Sequence, residues 1–366
     1  MRYLVTGGCG FVGAAICRHL LAHAERASVT VIDNQRRRGS EQNRHTLEQL
    51  GVRVLHGDIR AARDLEDVGA CDWVIDAAAE PSALAGVSPN PGTSRRQLIE
   101  HNLLGTLNVL ELAARSNAGV VFLSTSRVYS IEGLLGLPLR RRGMPPGGPA
   151  GADAFVLDAA KPLPPGVGAG GISERFPTSA PVSLYGATKL AGESMAAEYC
   201  HAIGTPLVVD RCGVMAGAGQ FGRADQGIFS WWIHSWAARR PLSYIGFGGT
   251  GLQVRDCLHP LDLAELVVRQ MRAARGGRPE IVNVSGGQAS ATSLAELSDW
   301  CRHRLGEHAV GSTPETRPYD VPWIVLDGDP AANRFEWRPT RSREQIFEEI
   351  ASHAQRHPEW LDCCGG

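Results

Sequence analysis

The stretch TGGCGFVG, residues 6–13, constrains the fold most, because it places four glycines between a short apolar run and a helix-like pattern. Its spacing fits both Gly8-x-Gly10-x-x-Gly13 and Gly7-x-x-Gly10-x-x-Gly13. In a strand–turn–helix unit, such glycines permit a tight turn, let the backbone approach a pyrophosphate, and let the helix pack on the strand. The helix amides then face the phosphates. The stretch therefore predicts a dinucleotide-binding unit.

Two carboxylates follow later strands of the same unit. VTVID ends at Asp33, twenty residues after Gly13, where a carboxylate accepts hydrogen bonds from an adenosine ribose and repels a 2′-phosphate. NAD is therefore predicted rather than NADP, although the run Arg36–Arg38 argues mildly for a 2′-phosphate. Asp58, after the third strand, is expected either to meet the adenine amino group or to cap the next helix.

Short β-branched runs alternate with helix-like stretches, such as Val12–Ala24 and Gln97–Ser116. This alternation favours a parallel sheet with helices on both faces and ligands at the carboxyl ends of the strands. We expect an α/β fold, with a Rossmann-type doubly wound parallel sheet over residues 1–211. A smaller C-terminal substrate-binding lobe is expected over residues 212–366, with allowance for a chain that recrosses. The predicted strands are Tyr3–Thr6, Val29–Asp33, Val52–His56, Trp73–Ala77, Val120–Ser124, Leu207–Arg211 and Ile281–Val284.

The region of about residues 133–172 interrupts this pattern. Its proline and glycine content forbids long helices or central strands. We expect an irregular insertion near the carboxyl edge of the sheet, either a lid over a substrate or a surface loop.

Composition excludes several classes of function. The net charge of −1 gives no global field that would recruit nucleic acid or an anionic membrane. No apolar stretch approaches the ~20 residues needed to span a bilayer, and no signal peptide precedes the first strand pattern. The nine cysteines show no C-x-x-C spacing and no zinc pattern, which predicts a reduced, cytoplasmic protein without a metal site.

The candidate catalytic residues lie in SLYGATKLAGE and FLSTSRVYS. Tyr185 and Lys189 are four residues apart, so a helix places them on one face. A lysine ammonium and a cationic nicotinamide favour ionisation of a phenol whose ordinary pKa is ~10. The phenolate can then act as a general base on a sugar hydroxyl. Thr125, at the tip of the predicted fifth strand, can orient the same oxygen, and Ser124 or Ser126 could serve in its place.

Asn102 lies in EHNLLGTLNVLE, on the helix before the fifth strand. An amide at this position is expected to steady the catalytic end of the site. The alternative is a polar residue on the solvated face of the helix.

Seven motifs in this order resemble the extended short-chain dehydrogenase/reductases, which include the nucleotide-sugar epimerases and dehydratases. These are TGGCGFVG, the Asp33 strand end, GDIR, the Asn102 helix, STSRVY, Tyr185-x-x-x-Lys189 and VRDCLHPLDLA. Within that family, DNQRRRGSEQN and the stretches 219–233 and 249–259 most resemble the CDP-paratose (CDP-tyvelose) 2-epimerase branch. The dehydratases carry Asp-Glu directly after the position of Thr125. This chain has Ser126-Arg127, so dehydration is not expected.

The resemblance implies a full set of site residues. Thr125, Tyr185 and Lys189 are the implied catalytic residues. The implied cofactor-binding residues are Gly7, Gly10, Phe11, Val12, Asp33, Asn34, Arg37, Asp58, Ile59, Ala77, Ala78, Ala79, Asn102, Ser124, Tyr185, Lys189 and Cys212. The implied substrate-binding residues are Arg127, Gln220, Gln226 and Arg255, with Arg255 on the diphosphate, where a guanidinium forks onto phosphate oxygens.

The leading hypothesis is an isomerase that acts on a nucleotide-diphosphate sugar and uses NAD without net consumption. The resemblance also extends to a flavin-independent mutase type that interconverts GDP-galactopyranose and GDP-galactofuranose. A net oxidoreductase is a second hypothesis, and a non-catalytic dinucleotide sensor is a third. Asp76 stands where many relatives have a histidine, which leaves the exact sugar open. The resemblance further implies a homodimer formed through the helices around 98–116 and 185–203.

Overall fold

The computed structural model describes residues 1–24, 26–87, 93–142, 153–223 and 226–364. At its centre lies a parallel sheet of seven strands in the order β3-β2-β1-β4-β5-β6-β7. Its strands are β1 (Arg2–Thr6), β2 (Ser28–Asp33), β3 (Arg53–His56), β4 (Trp73–Asp76), β5 (Gly119–Thr125), β6 (Leu207–Cys212) and β7 (Glu280–Val284). All seven predicted strands are present, with boundaries within one residue of those expected. The predicted doubly wound fold is therefore confirmed.

Helices cover both faces of this sheet. The α-helices are α1 (Phe11–His23), α2 (Ser40–Gln49), α3 (Arg95–Ile99), α4 (Gly105–Ser116), α5 (Ile131–Leu135), α6 (Ser183–Ile203), α7 (Ile228–Ala237), α8 (Pro260–Ala273), α9 (Gly287–Ser290), α10 (Leu294–Leu305), α11 (Asp329–Phe335), α12 (Arg343–Arg356) and α13 (Trp360–Cys363). No helix in the described ranges is long and apolar enough to cross a membrane.

Two apolar layers hold the helices on the sheet. On one face, Ile16 of α1 and Leu263 of α8 pack in one buried cluster with strand residues such as Val31. On the other face, Val109 of α4 and Ala196 of α6 pack in a second cluster. Full burial of a large aliphatic side chain contributes about 1.5–3 kcal/mol, so these layers fix helix α6, which carries Tyr185 and Lys189, against β5.

The second half of the chain builds a smaller lobe and also returns to the sheet. Helices α7, α10 and α12 form its main apolar cluster, which includes Trp232, Leu297 and Ile350. Short strands complete it, at Val214–Met215, Leu242–Ile245, Val254–Arg255, Cys257–Leu258, Thr292–Ser293, Val310–Thr313 and Trp323–Ile324. All of β7 pairs with β6. The last strand of the central sheet therefore comes from the second half of the chain.

The insertion at 133–172 is more regular than expected. Two small antiparallel ribbons join Leu139–Arg141 to Phe155–Leu157 and Val167–Gly168 to Gly171–Ile172. Ile172 is fully buried in a cluster with Trp323, which is distant in sequence. The proline and glycine content of the insertion does not reveal such long-range packing. None of its described residues lines the cleft described below, and residues 143–152 of the predicted insertion lie outside the described residues.

Candidate active site

A cleft of about 760 Å³ lies at the carboxyl ends of the parallel strands. One half is lined by the glycine turn and by residues that follow β2 and β4. The other half is lined by residues within 213–229, 253–255 and 317–320. In open parallel sheets ligands bind at this edge, next to the point between β1 and β4 where the strand order reverses. The cleft is therefore the candidate active site.

The glycine turn brings the start of α1 close to the end of β4. Gly7 has a φ of +63°, and a Cβ there would lie 2.8 Å from the Cα of Ala78. A Cβ at Gly13 would lie 2.7 Å from the Cα of Gly8 and would overlap the carbonyl of Gly7. Since a side chain fits at neither position, the close approach of helix, turn and strand requires glycine.

The start of α1 and the carboxylate of Asp33 together fit NAD. Phe11 and Val12 line the cleft, and their N–H groups have no hydrogen-bond acceptor among the described residues. Such amides at a helix N-terminus are suited to phosphate oxygens. Asp33 accepts hydrogen bonds from the N–H groups of Cys9 (2.9 Å) and Gln35 (2.8 Å). Burial raises the pKa of Asp33, and these donors oppose the rise.

Most predicted cofactor residues line this half of the cleft. The lining contains Gly7, Gly10, Phe11, Val12, Asp33, Asn34, Arg37, Ile59, Ala77, Ala78, Ala79, Ser124, Tyr185 and Cys212. Asp58, Asn102 and Lys189 are not among the lining residues.

Asp58 is engaged by protein groups at the end of β3. Its carboxylate accepts hydrogen bonds from Arg60 Nη2 (2.7 Å) and Asn34 Nδ2 (3.1 Å). Burial alone would raise the pKa of this carboxyl, but the donors from Arg60 and Asn34 hold it well below its usual range. A contact to the adenine amino group therefore stays a prediction, while the neighbouring Ile59 lines the cleft.

Asn102 lies in a π-helical turn, Glu100–Leu104, between α3 and α4. Its Oδ1 accepts the N–H of Glu80 (2.7 Å), and its Nδ2 donates to the Glu80 carbonyl (3.0 Å) and to Thr188 Oγ1 (3.3 Å). π-Helical turns are frequent at functional sites. The amide joins the segment after β4 to helix α6. Its role in steadying the site stays a prediction.

Tyr185 and Lys189 lie one turn apart on α6 and are both buried. Burial raises the pKa of Tyr185 to about 12, and hydrogen bonding with Thr125 opposes the rise. Ionising such a phenol at pH 7 costs about 7 kcal/mol, so catalysis as a base requires added positive charge. Burial lowers the pKa of Lys189, whose Nζ lies 4.0 Å from the centre of the Phe122 ring. The charges of the nearby Asp76 and Glu193 oppose this fall in the pKa of Lys189.

The hydroxyls of Ser124 and Thr125, at the end of β5, have different partners. Ser124 donates to Glu193 at 2.5 Å, and Glu193 is ion-paired with Arg211 at 2.7 Å in a buried position. Thr125 Oγ1 accepts the N–H of Arg127 at 3.2 Å, and its hydroxyl lies close enough to Tyr185 to oppose the rise in the pKa of the phenol. Ser124, Thr125 and Ser126 all line the cleft. The contact with the phenol favours Thr125 as the group that orients a substrate oxygen.

All four predicted substrate residues line the other half of the cleft: Arg127, Gln220, Gln226 and Arg255. Arg255 is ion-paired with Asp320 at 3.0 Å and also donates to the carbonyl of Val321 at 2.8 Å. Burial lowers the pKa of Arg255 to about 10, and Asp320 opposes that fall. Gln220 donates from Nε2 to the Met215 carbonyl at 2.7 Å, which fixes its side chain.

Several lining residues were not predicted from the sequence: Glu80, His101, Arg317, Tyr319 and Asp320. Glu80 follows β4 after three alanines. A polar residue just past the end of a parallel strand could therefore have been predicted to line the site. The stretch RPYD at 317–320 offered none, because it lies far from the strand ends in sequence. There the N–H of Asp320 donates to the Arg317 carbonyl at 3.2 Å, and Tyr319 has a φ of +59°.

Known proteins with similar sequences and structures point to the same kind of site. The profile of the NAD dependent epimerase/dehydratase family matches residues 3–145 and 157–285. The chain is 28% identical to a CDP-paratose 2-epimerase of Salmonella typhi, over 96% of this chain and 98% of the relative. It is 25% identical to a UDP-glucose 4-epimerase of Corynebacterium glutamicum, over 96% and 94%. The structure of a Thermus thermophilus UDP-glucose 4-epimerase complex with NAD superposes with a TM-score of 0.71 at 24% identity, covering 97% of this chain and 99% of that chain.

The fold, the glycine turn and the matched profile define an enzyme of the extended short-chain dehydrogenase/reductase type. The chain belongs to the NAD dependent epimerase/dehydratase family, which confirms the resemblance drawn from its motifs. The description of the family as NAD dependent likewise confirms the predicted cofactor.

Proposed function

We propose that this enzyme is a nucleotide-sugar epimerase that transiently oxidises a ring hydroxyl to a ketone and then restores it with inverted configuration. The observation that carries the proposal is that Thr125 and Tyr185 line the same cleft as Arg255. Lys189 lies one helical turn behind Tyr185 on α6. NAD supplies reversible hydride acceptance. Because the hydride returns to the sugar, the reaction is an isomerisation with no net redox change.

Four residues of this chain carry out the proton transfer and position the substrate. Tyr185 takes the proton of the sugar hydroxyl, and Thr125 orients that oxygen. Lys189 supplies positive charge on the same face of α6 and a donor for the cofactor ribose. Arg255 binds the diphosphate and thereby positions the sugar, since a guanidinium matches two phosphate oxygens.

The residues after Thr125 favour epimerisation over dehydration. Ser126 and Arg127 follow it, so the Asp-Glu pair of the dehydratases is missing at these two positions. The two relatives reported above carry the names of epimerases acting on CDP- and UDP-sugars. These names support the reaction class and leave the nucleotide, the sugar and the inverted carbon open.

The purified enzyme is expected to retain NAD and to turn over without added cofactor. The measurement is the nucleotide released on denaturation, followed by turnover with CDP-, GDP-, UDP- and dTDP-hexoses monitored by NMR. A steady change at the nicotinamide absorbance band, or a stoichiometric requirement for NAD(P)H, would identify a net oxidoreductase instead.

The same NMR experiment separates epimerisation from ring-size mutation. An epimer keeps its pyranose ring, whereas a mutase of the GDP-galactopyranose type yields furanose signals. A parallel sample in deuterated water tests the route: a ring carbon that stays free of solvent deuterium agrees with hydride return, and incorporation would indicate enolisation.

We also infer a cytoplasmic homodimer built through the helices around 98–116 and 185–203. The nine free cysteines suit a reducing compartment. Ile99 and Leu104 are exposed by 41% and 43%, and the i→i+5 geometry of the π turn brings residues five apart toward one side. An exposed apolar pair of this kind is suited to a subunit contact.

Leu104→Glu is expected to convert the dimer to monomer in sedimentation velocity, because a charge in an apolar contact is costly to bury. Leu135→Glu is the matched control, since Leu135 is 52% exposed on α5, outside the inferred interface. A monomeric unmodified enzyme, or equal loss of dimer in both variants, would contradict the inferred contact.

A further inference from the structure

Arg127 lies against the catalytic helix immediately beside Tyr185. It occupies the middle of a short 3₁₀ turn, Ser126–Val128, that follows β5 directly. A Cβ on Gly186 would overlap the carbonyl group of Arg127, so this glycine allows the turn to touch α6 one residue after the tyrosine. Both Arg127 and Tyr185 line the cleft. The backbone of Arg127 therefore lies against the start of α6, beside the residue that carries the phenol.

The guanidinium of Arg127 is held without a carboxylate partner. Its Nη1 donates to the Tyr319 carbonyl at 3.2 Å. No ion pair joins it to an acid in the part of the chain that the structure describes, and the nearby Asp320 is ion-paired with Arg255 at 3.0 Å. Burial lowers the pKa of Arg127, while the charges of Asp320 and Tyr185 oppose that fall and Arg317 adds to it. Arginine keeps its charge under such conditions.

The groups that face Tyr185 come from several segments of the chain. Burial raises its pKa most; Thr125 on β5 and Arg127 lower it, whereas Cys212 at the end of β6 and Glu80 after β4 raise it. Lys189 lies one turn further along α6, with its Nζ over the Phe122 ring. Arg127, on the turn after β5, therefore adds a positive charge near the phenol that comes from neither α6 nor the cofactor.

We propose that Arg127 is a positioning residue that acts through Tyr185, holding the phenol in its ionised form by the charge of its guanidinium. This role goes beyond a contact with the sugar. It rests on the proposed function for its kinetic test, whereas the titration of Tyr185 is independent of which substrate the enzyme uses.

The first test titrates the phenol directly in the NAD-loaded enzyme. Phenolate absorbance is recorded against pH for the unmodified enzyme, Arg127→Met and Arg127→Lys. Each of the three is also measured with the additional substitution Tyr185→Phe. Subtracting the second curve from the first gives the titration of Tyr185 alone. Loss of the cation is expected to move the Tyr185 transition upward by about one pH unit or more, in line with the effect of a neighbouring opposite charge. Arg127→Lys is expected to return the transition most of the way to that of the unmodified enzyme.

The second test uses the pH profile of turnover. Because Tyr185 acts as a base, kcat falls as pH drops below its apparent pKa. Arg127→Met should therefore move the acidic limb to higher pH and lower kcat on that limb about tenfold for each pH unit by which the limb moves. Arg255→Met is the comparison variant: it should raise KM and leave the acidic limb in place. Retained NAD content shows that each variant is folded.

Three results would overturn the proposal. In the first, Arg127→Met titrates like the unmodified enzyme and changes KM alone, which assigns Arg127 to substrate binding. In the second, Arg127→Lys moves the transition as far as Arg127→Met, which assigns the effect to packing rather than charge. In the third, Arg255→Met moves the transition equally far. Absence of turnover with every nucleotide sugar would instead count against the proposed function and leave the titration informative.

Discussion

Replacing Tyr185 with phenylalanine is expected to lower kcat by about 10²–10⁴-fold, the contribution typical of a positioned acid–base group. The variant removes a hydroxyl that interacts with Thr125 and keeps the buried ring, so the packing of α6 is preserved. NAD content should be unchanged, because the glycine turn and Asp33 are intact. The measurement is turnover by NMR together with the nucleotide released on denaturation.

Tyr199→Phe is the control for this experiment. Tyr199 lies on the same helix, and its hydroxyl donates to Glu111 at 2.6 Å in an exposed position. Its removal should leave kcat within about twofold, because phenylalanine keeps the half-buried ring that packs on the apolar layer of α4 and α6. Full activity in Tyr185→Phe would show that another group removes the proton.

Gly13→Ala is expected to abolish NAD retention and to lower the free energy of unfolding by about 1–3 kcal/mol, the usual cost of overpacking. The added Cβ would lie 2.7 Å from the Cα of Gly8 and overlap the carbonyl of Gly7. Backbone atoms cannot move aside as the end of a flexible side chain does. Hence the turn itself must shift, and with it the amides of Phe11 and Val12. Denaturant unfolding and NAD content measure the two effects.

The matched variant is Gly168→Ala, because a Cβ at Gly168 meets no heavy atom within 4 Å. It should retain NAD and unfold at the same denaturant concentration as the unmodified enzyme. Normal NAD retention in Gly13→Ala would show that the turn tolerates a side chain and that its glycine serves another purpose.

The features predictable from the sequence are those that local physics determines. The inner strands of the central sheet, such as β5 and β6, are short, apolar and buried on both faces, so they are recognisable as β-branched runs. The edge strand β3 is only partly buried. The glycine turn and Asp33 belong to the same βαβ unit: the turn follows β1, and Asp33 ends β2. The geometry of such a unit is nearly fixed, so the sequence spacing predicts their relative positions. The Tyr185–Lys189 spacing is likewise set by a single helical turn.

The features that escaped prediction depend on distant segments meeting. Tyr319 reaches the cleft because the chain returns there after β7, and no local pattern marks that return. Asn34 is brought to Asp58 by tertiary contact in the same way, whereas the other partner, Arg60, lies only two residues along the chain. The ribbon that ends at Ile172 forms where this residue is buried and bridged to Leu326, which offsets a composition unfavourable to strands.

The position of β7 at the edge of the sheet limits how the enzyme can be divided. All six residues of β6 are buried, and its outer edge is paired with β7, a strand from the later half of the chain. A fragment that stops near residue 211 would leave that edge uncovered, and uncovered apolar edges recruit strands from other molecules. Split versions of this enzyme should therefore be produced together, so that the later fragment supplies the missing strand while the earlier one folds.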